Sequence, residues 1–133
     1  MKLIIEIMGC GLIVLALIHA VFPKVFDWKK ELAGLSLINQ QLMTVHTFFI
    51  ALAVFLNGLL CVTCADELMN TSLGRKLCLG LSCFWGVRFI AQIFWYSPML
   101  WRGKRLETFC HVLFLFIWSS VTGVFLFVGL GEW

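Results

Sequence analysis

The chain is short of the residues that break, solubilise or punctuate a fold. Its 133 residues include two prolines and one tyrosine. No tract rich in proline, serine or glycine separates one half from the other, so neither a linker nor a second domain is expected. Charged residues make up 13% of the chain, against roughly 25% in soluble globular domains. That scarcity argues against a water-soluble fold. No glycine-rich phosphate loop, nucleophile triad or HExxH helix occurs, which excludes the common signatures of nucleotide, acyl-transfer and zincin chemistry. Three histidines are too few for the multi-histidine cluster of membrane desaturases.

What is abundant is apolar sequence. Hydrophobic residues make up 62% of the chain, where roughly 45–50% is ordinary. They are gathered in long runs, and Glu107 to Leu130 is the clearest. Such a run matches the ~20 residues needed to cross a ~30 Å hydrocarbon core. Four runs fit this description, over about residues 3–22, 42–64, 74–96 and 107–130. Backbone groups in lipid must be satisfied within the segment, and no period-2 barrel alternation is seen, so helices are expected. The fold class expected is an all-α integral membrane protein. It is a single transmembrane domain over residues 1–133, a four-transmembrane-helix antiparallel bundle. The first run is expected as a mature helix, because Glu6 interrupts a signal-peptide pattern and Ile18 is large for a cleavage site.

The connections differ in character. Residues 65–73 form a short turn, and residues 97–106 a basic loop with an interfacial Trp101. Between helices 1 and 2, residues 25–41 carry Val25, Trp28, Leu32 and Leu35 at helical spacing. This predicts an amphipathic interfacial segment, or an extension of the second span, with Asp27 as an N-cap. Lys and Arg number six at the end holding loops 23–41 and 97–106, against three at the other. The positive-inside bias therefore predicts those loops cytoplasmic and both termini outside, in a bacterial inner membrane. The net charge of +3 sits in short loops. It is read as orientation signal and headgroup contact with the lipid bilayer, with no nucleic-acid partner.

Antiparallel spans would bring His19, His46 and His111 to one depth, roughly 6 Å inside the same end at 1.5 Å per residue. The third span offers Gln92 there. Wheel positions group Asn39, His46, Asn57 and Cys64 on the second span; Cys78, Trp85, Gln92 and Tyr96 on the third; and Glu107, His111, Trp118 and Thr122 on the fourth. Imidazoles on facing helices suit haem or a single transition-metal ion, Fe, Cu or Zn. The metal set expected is His19, His46 and His111, with Glu107 or water completing the shell, or else two of the three as axial haem ligands, in a redox site that a quinone could serve. Arg88 lies near mid-span with no acid at matching depth. Burying a guanidinium there costs at least ~2.5 kcal/mol unless it is compensated. Asn57, backbone carbonyls, or a quinone or small anionic ligand are its candidate partners. Arg88, Gln92 and Asn57 form the expected cofactor-binding set.

Other readings stay open. The polar stripe would equally line a cavity of a non-catalytic binding or transport module for a lipid headgroup, quinone or anion. Phenylalanine-rich faces (Phe48, Phe49, Phe55, Phe114, Phe116, Phe125) would suit lipid, a homo-oligomer or a larger membrane complex. Cys61-Val-Thr-Cys64, near Cys78 and Cys10, is a CxxC pair. It resembles in general layout the four-helix membrane thiol oxidoreductases of the disulfide-bond-forming and vitamin K epoxide reductase kinds. The resemblance implies a thiol–disulfide site coupled to a quinone. The chain departs from that pattern in lacking a second cysteine pair in a long external loop.

Overall fold

A computed structural model describes residues 1–133. The chain is helical, with no strand. The elements are α1 (Lys2–His19), α2 (Phe22–Val25), α3 (Trp28–Glu31), α4 (Leu37–Thr63), α5 (Ala65–Asn70), α6 (Ser72–Phe94), a 3-10 turn (Pro98–Leu100) and α7 (Arg105–Leu130). Four of them, α1, α4, α6 and α7, are long and apolar enough to cross a membrane. Each of the four expected spans therefore corresponds to one helix, with ends displaced by a few residues.

The chain divides into two compact units, Met1–Ala65 and Asp66–Trp133. In the first, α1 packs against α4. The contact is made by glycines: a Cβ on Gly9 would lie 2.7 Å from the Gly58 carbonyl oxygen, and a Cβ on Gly58 would lie 2.7 Å from that of Gly9. The two backbones touch directly. In hydrocarbon, where apolar burial gives little drive, such close approach is a main source of helix association. Ile5, Leu12, Val54 and Cys61 pack around this seam.

In the second unit α6 packs against α7. Leu79 lies against Gly129, and Gln92 meets His111 at the other end, so this pair is antiparallel. Between these points Trp85 stacks on Trp118, with centroids 5.2 Å apart and planes 15° from parallel. Such pairs contribute about 0.5–1.5 kcal/mol beyond buried area. α6 begins at Thr71, whose hydroxyl accepts from the Gly74 amide at 2.8 Å and donates to the Glu67 carbonyl at 2.7 Å. Gly74 sits directly on the backbone of Glu67 and Leu68, leaving no room for a side chain. α7 ends at Gly131, whose φ of 74° is the left-handed closure that glycine adopts freely.

Residues 25–41 do not form one amphipathic helix. Asp27 has φ 46° and ψ 52°, so the chain turns sharply between the single turns α2 and α3. Asp27 does stand at the N-cap position of α3, but its side chain makes no capping bond. Residues 32–35 form turns and a bend, and only residues 37–41 join α4, which starts at Leu37, five residues before the expected 42. The extension alternative is thus realised in part.

The outward faces are apolar. Leu3 is 66% exposed, Phe48 62% and Phe94 80%, along with most of the other large side chains on these helices. A water-soluble fold does not leave such continuous apolar surface open. Four spanning-length helices with carbon-lined exteriors are what a lipid environment accommodates.

Candidate functional site

The polar residues expected to converge do so most clearly in the second unit. α6 turns Cys78, Trp85 and Gln92 inward; all are buried, Gln92 at 6% exposure. Their sevenfold spacing keeps them on one face. α7 presents Trp118, Val121 and Phe125 to the same seam. His111 lies half-buried one heptad before Trp118.

A hydrogen-bonded chain runs across the pair. Arg88 Nη1 donates to Gln92 Oε1 at 3.2 Å. Gln92 Nε2 lies 3.1 Å from His111 Nδ1. A guanidinium has only donors, so it fixes the amide with its oxygen toward Arg88. The amide nitrogen then faces His111 and donates to Nδ1. His111 is thereby held with its proton on Nε2, aimed away from Gln92. Trp101 lies flat on its other face, with centroids 4.6 Å apart and planes 12° from parallel. Thr108 Oγ1 donates to the Trp101 carbonyl at 2.6 Å, which ties the basic loop to the first turn of α7.

Arg88 itself has no carboxylate partner. Its guanidinium lies 4.9 Å from the Trp118 ring centroid and 5.7 Å from that of Tyr96. The cluster is rich in donors and poor in acceptors. The indole nitrogens of Trp85, Trp101 and Trp118 are buried with no hydrogen-bond partner. Buried N–H groups without acceptors are uncommon and costly, about 1–3 kcal/mol each. Here Trp118 lies under the Arg88 guanidinium, Trp85 stacks on Trp118 and Trp101 stacks on His111, while the one side chain that Arg88 hydrogen-bonds, Gln92, is shared with His111.

The remaining histidines sit differently. His19 Nδ1 and His46 Nδ1 each lie 2.8 Å from the carbonyl four residues back, Leu15 and Leu42. A carbonyl only accepts, so both rings carry the proton on Nδ1 and leave an Nε2 lone pair. This is the opposite tautomer to His111. His19 is half-buried at the end of α1, while His46 is exposed on α4. Glu107 is exposed in the first turn of α7, where its charge complements the helix dipole. Asn57 Nδ2 donates to the Ala53 carbonyl at 2.8 Å, and its Oδ1 is buried without a donor. In neither unit do three or more His, Cys, Asp or Glu side chains gather closely enough to share one ion. His19, His46 and Asn57 belong to the first unit; Arg88, Gln92, Glu107 and His111 belong to the second.

The first unit has a cleft of its own, about 330 Å³, between the last turns of α1, the middle of α4 and the α2–α3 turns. His19, Pro23, Trp28, Thr44, Ala51 and Phe55 are among its walls. The cysteines carry no disulfide: Cys61 is buried in α4, and Cys64, at its C-cap, lies 3.5 Å from the Thr63 hydroxyl.

Sequence reasoning put Gln92 and His111 on the stripes that meet, with Trp85 and Trp118 beside them, but gave the tryptophans no part in the site. The signal was present. Trp85 precedes Gln92 by one heptad, and Trp118 follows His111 by one. Trp101 gave no such signal, because a loop residue has no helical period.

No protein-family model, curated protein or solved structure matches this chain.

Proposed function

We propose that the protein is a small membrane-embedded binding module whose ligand presents carbonyl oxygens to the Arg88–Gln92–His111 cluster, a quinone-class ring being the best chemical fit. The observation that carries this is the donor excess: Arg88, three buried indole N–H groups and the outward Nε2–H of His111, with no acceptor left among them. A flat ring bearing carbonyls supplies acceptors and suits the Trp85–Trp118 stack. Sites of this kind combine aromatic walls with a few converging polar groups. In this proposal the four helices form an antiparallel bundle in a bacterial inner membrane, with loops 23–41 and 97–106 cytoplasmic. Six basic residues against three support that orientation.

The test is tryptophan fluorescence of reconstituted protein titrated with a short-chain benzoquinone. Saturable quenching that is lost in Arg88→Gln is expected. Equal affinity in wild type and Arg88→Gln sinks the proposal. Competition by inorganic phosphate, with no quinone saturation, reassigns the site to an oxyanion.

One observation favours a second reading, a haem or metal redox site using His19 and His46. Each donates its Nδ1–H to a backbone carbonyl and keeps Nε2 bare, the arrangement that orients ligating imidazoles. An absorption spectrum and metal analysis of purified protein test it. A colourless, metal-free preparation that takes up neither haem nor metal ends it.

A further inference from the structure

The cleft of the first unit shares no residue with the Arg88 cluster and has its own chemistry. Its walls are almost wholly carbon: Leu17 from α1, Ala20 just beyond its end, and Phe48, Leu52 and Phe55 from α4. Its volume, about 330 Å³, falls at the lower end of the ~300–1,000 Å³ typical of small-molecule sites. Carbon walls on a helix pair of spanning length call for a hydrocarbon occupant. Polar side chains at the walls are few: His19, Trp28, Thr44 and Thr47. Thr44 is already turned to the Gln40 carbonyl at 3.1 Å, and His19 to Leu15.

Two of the lining residues, Pro23 and Trp28, belong to the broken α2–α3 segment. Lys24 follows Pro23, and Lys29 and Lys30 follow Trp28; all three are exposed. Asp27 and Glu31 share the segment, which leaves it net positive. Each lysine therefore lies one or two residues along the chain from a lining side chain, Pro23 or Trp28. Carbon walls with ammonium groups next to them in the chain match one ligand chemistry: an acyl chain joined to a phosphate.

We propose that this cleft holds one acyl chain of an anionic phospholipid, with Lys24, Lys29 and Lys30 taking its phosphate. Anionic headgroups are drawn to basic clusters flanking membrane helices, and lysine stems lie along apolar surface while the charge stays at the interface. Trp28, half-buried in the wall, is positioned to report the occupant.

The test uses the whole protein reconstituted in phosphatidylcholine vesicles containing a minor fraction of brominated-chain lipid, either phosphatidylglycerol or phosphatidylcholine. Trp28 emission is read as the difference between wild type and Trp28→Phe. Brominated phosphatidylglycerol is expected to quench Trp28 several-fold more than brominated phosphatidylcholine at equal fraction. The preference should vanish in the triple variant Lys24→Gln, Lys29→Gln, Lys30→Gln, whose changes are all exposed. Ala51→Leu, which fills the cleft, should weaken quenching by both lipids. Equal quenching by the two lipids, or a preference that survives loss of the lysines, overturns the proposal. Displacement of the quenching by a long-chain quinone, with no headgroup preference, assigns the cleft to an isoprenoid tail and overturns it too.

Discussion

Arg88 lies over the face of Trp118, 4.9 Å from its centroid, and donates to the Gln92 oxygen instead of to a carboxylate. A cation–π contact contributes roughly 0.5–2 kcal/mol, the upper end when desolvated. That is of the same order as the lower estimates for burying an arginine in a span. Ring and amide therefore hold the charge without neutralising it, and its remaining N–H groups stay available to an acceptor.

Gln92 decides whether that charge stays available. Gln92→Leu removes the acceptor of Arg88 and the donor to His111 together. A loss of about 1–3 kcal/mol is expected from the polar groups left behind, read as a lower unfolding midpoint in mixed micelles. Gln92→Glu keeps the geometry but gives Arg88 a carboxylate. It should abolish benzoquinone saturation while keeping the protein folded. Unchanged quinone affinity in Gln92→Glu would contradict the acceptor-binding role.

Glycine positions divide into two classes. Gly9→Ala places a methyl 2.7 Å from the Gly58 carbonyl, and Gly129→Ala places one 2.7 Å from the Leu79 side chain. Overpacking of this kind costs about 1–3 kcal/mol, and Gly9→Ala should be the worse, because it meets backbone. Gly11→Ala and Gly123→Ala meet nothing within 4 Å and should be neutral or mildly stabilising through helix propensity. Unfolding midpoints of the four variants, compared in one detergent, check the order.

Asp27 holds a left-handed conformation with no capping bond from its side chain. Asp27→Gly should raise stability slightly, since left-handed geometry costs an L-residue roughly 1–2 kcal/mol and aspartate somewhat less. Asp27→Val should lower it. If both variants match wild type in thermal unfolding, the turn is not formed as described.

Thr108 ties Trp101 over His111 through a 2.6 Å bond to the Trp101 carbonyl. Thr108→Val should loosen residues 98–104 without unfolding α6 or α7. Faster amide exchange confined to that loop, together with a shift in Trp101 emission, is the expected outcome. Exchange unchanged from wild type would mean that the ring stack alone holds the loop.

Much of the architecture follows from composition. Long runs without charge force helices wherever lipid denies the backbone a water partner, and heptad spacing set which side chains share a face. The placements of Trp85 with Gln92 and of His111 with Trp118 were fixed by that period. Residues 25–41 were less legible. Their apolar spacing matches one helix, but the period says nothing about a single left-handed residue, and Asp27 breaks it.

Sequence alone determined that four segments of this chain are long and apolar enough to span a membrane and that polar stripes run along them, because helical periodicity is a local property. Only the tertiary structure decided that His111 carries its proton on Nε2 while His19 and His46 carry theirs on Nδ1. It also decided that Arg88 rests on Trp118. Tautomer and partner depend on which atom of a neighbouring turn or helix is within 3 Å or so of the ring, and spacing along one chain does not contain that distance.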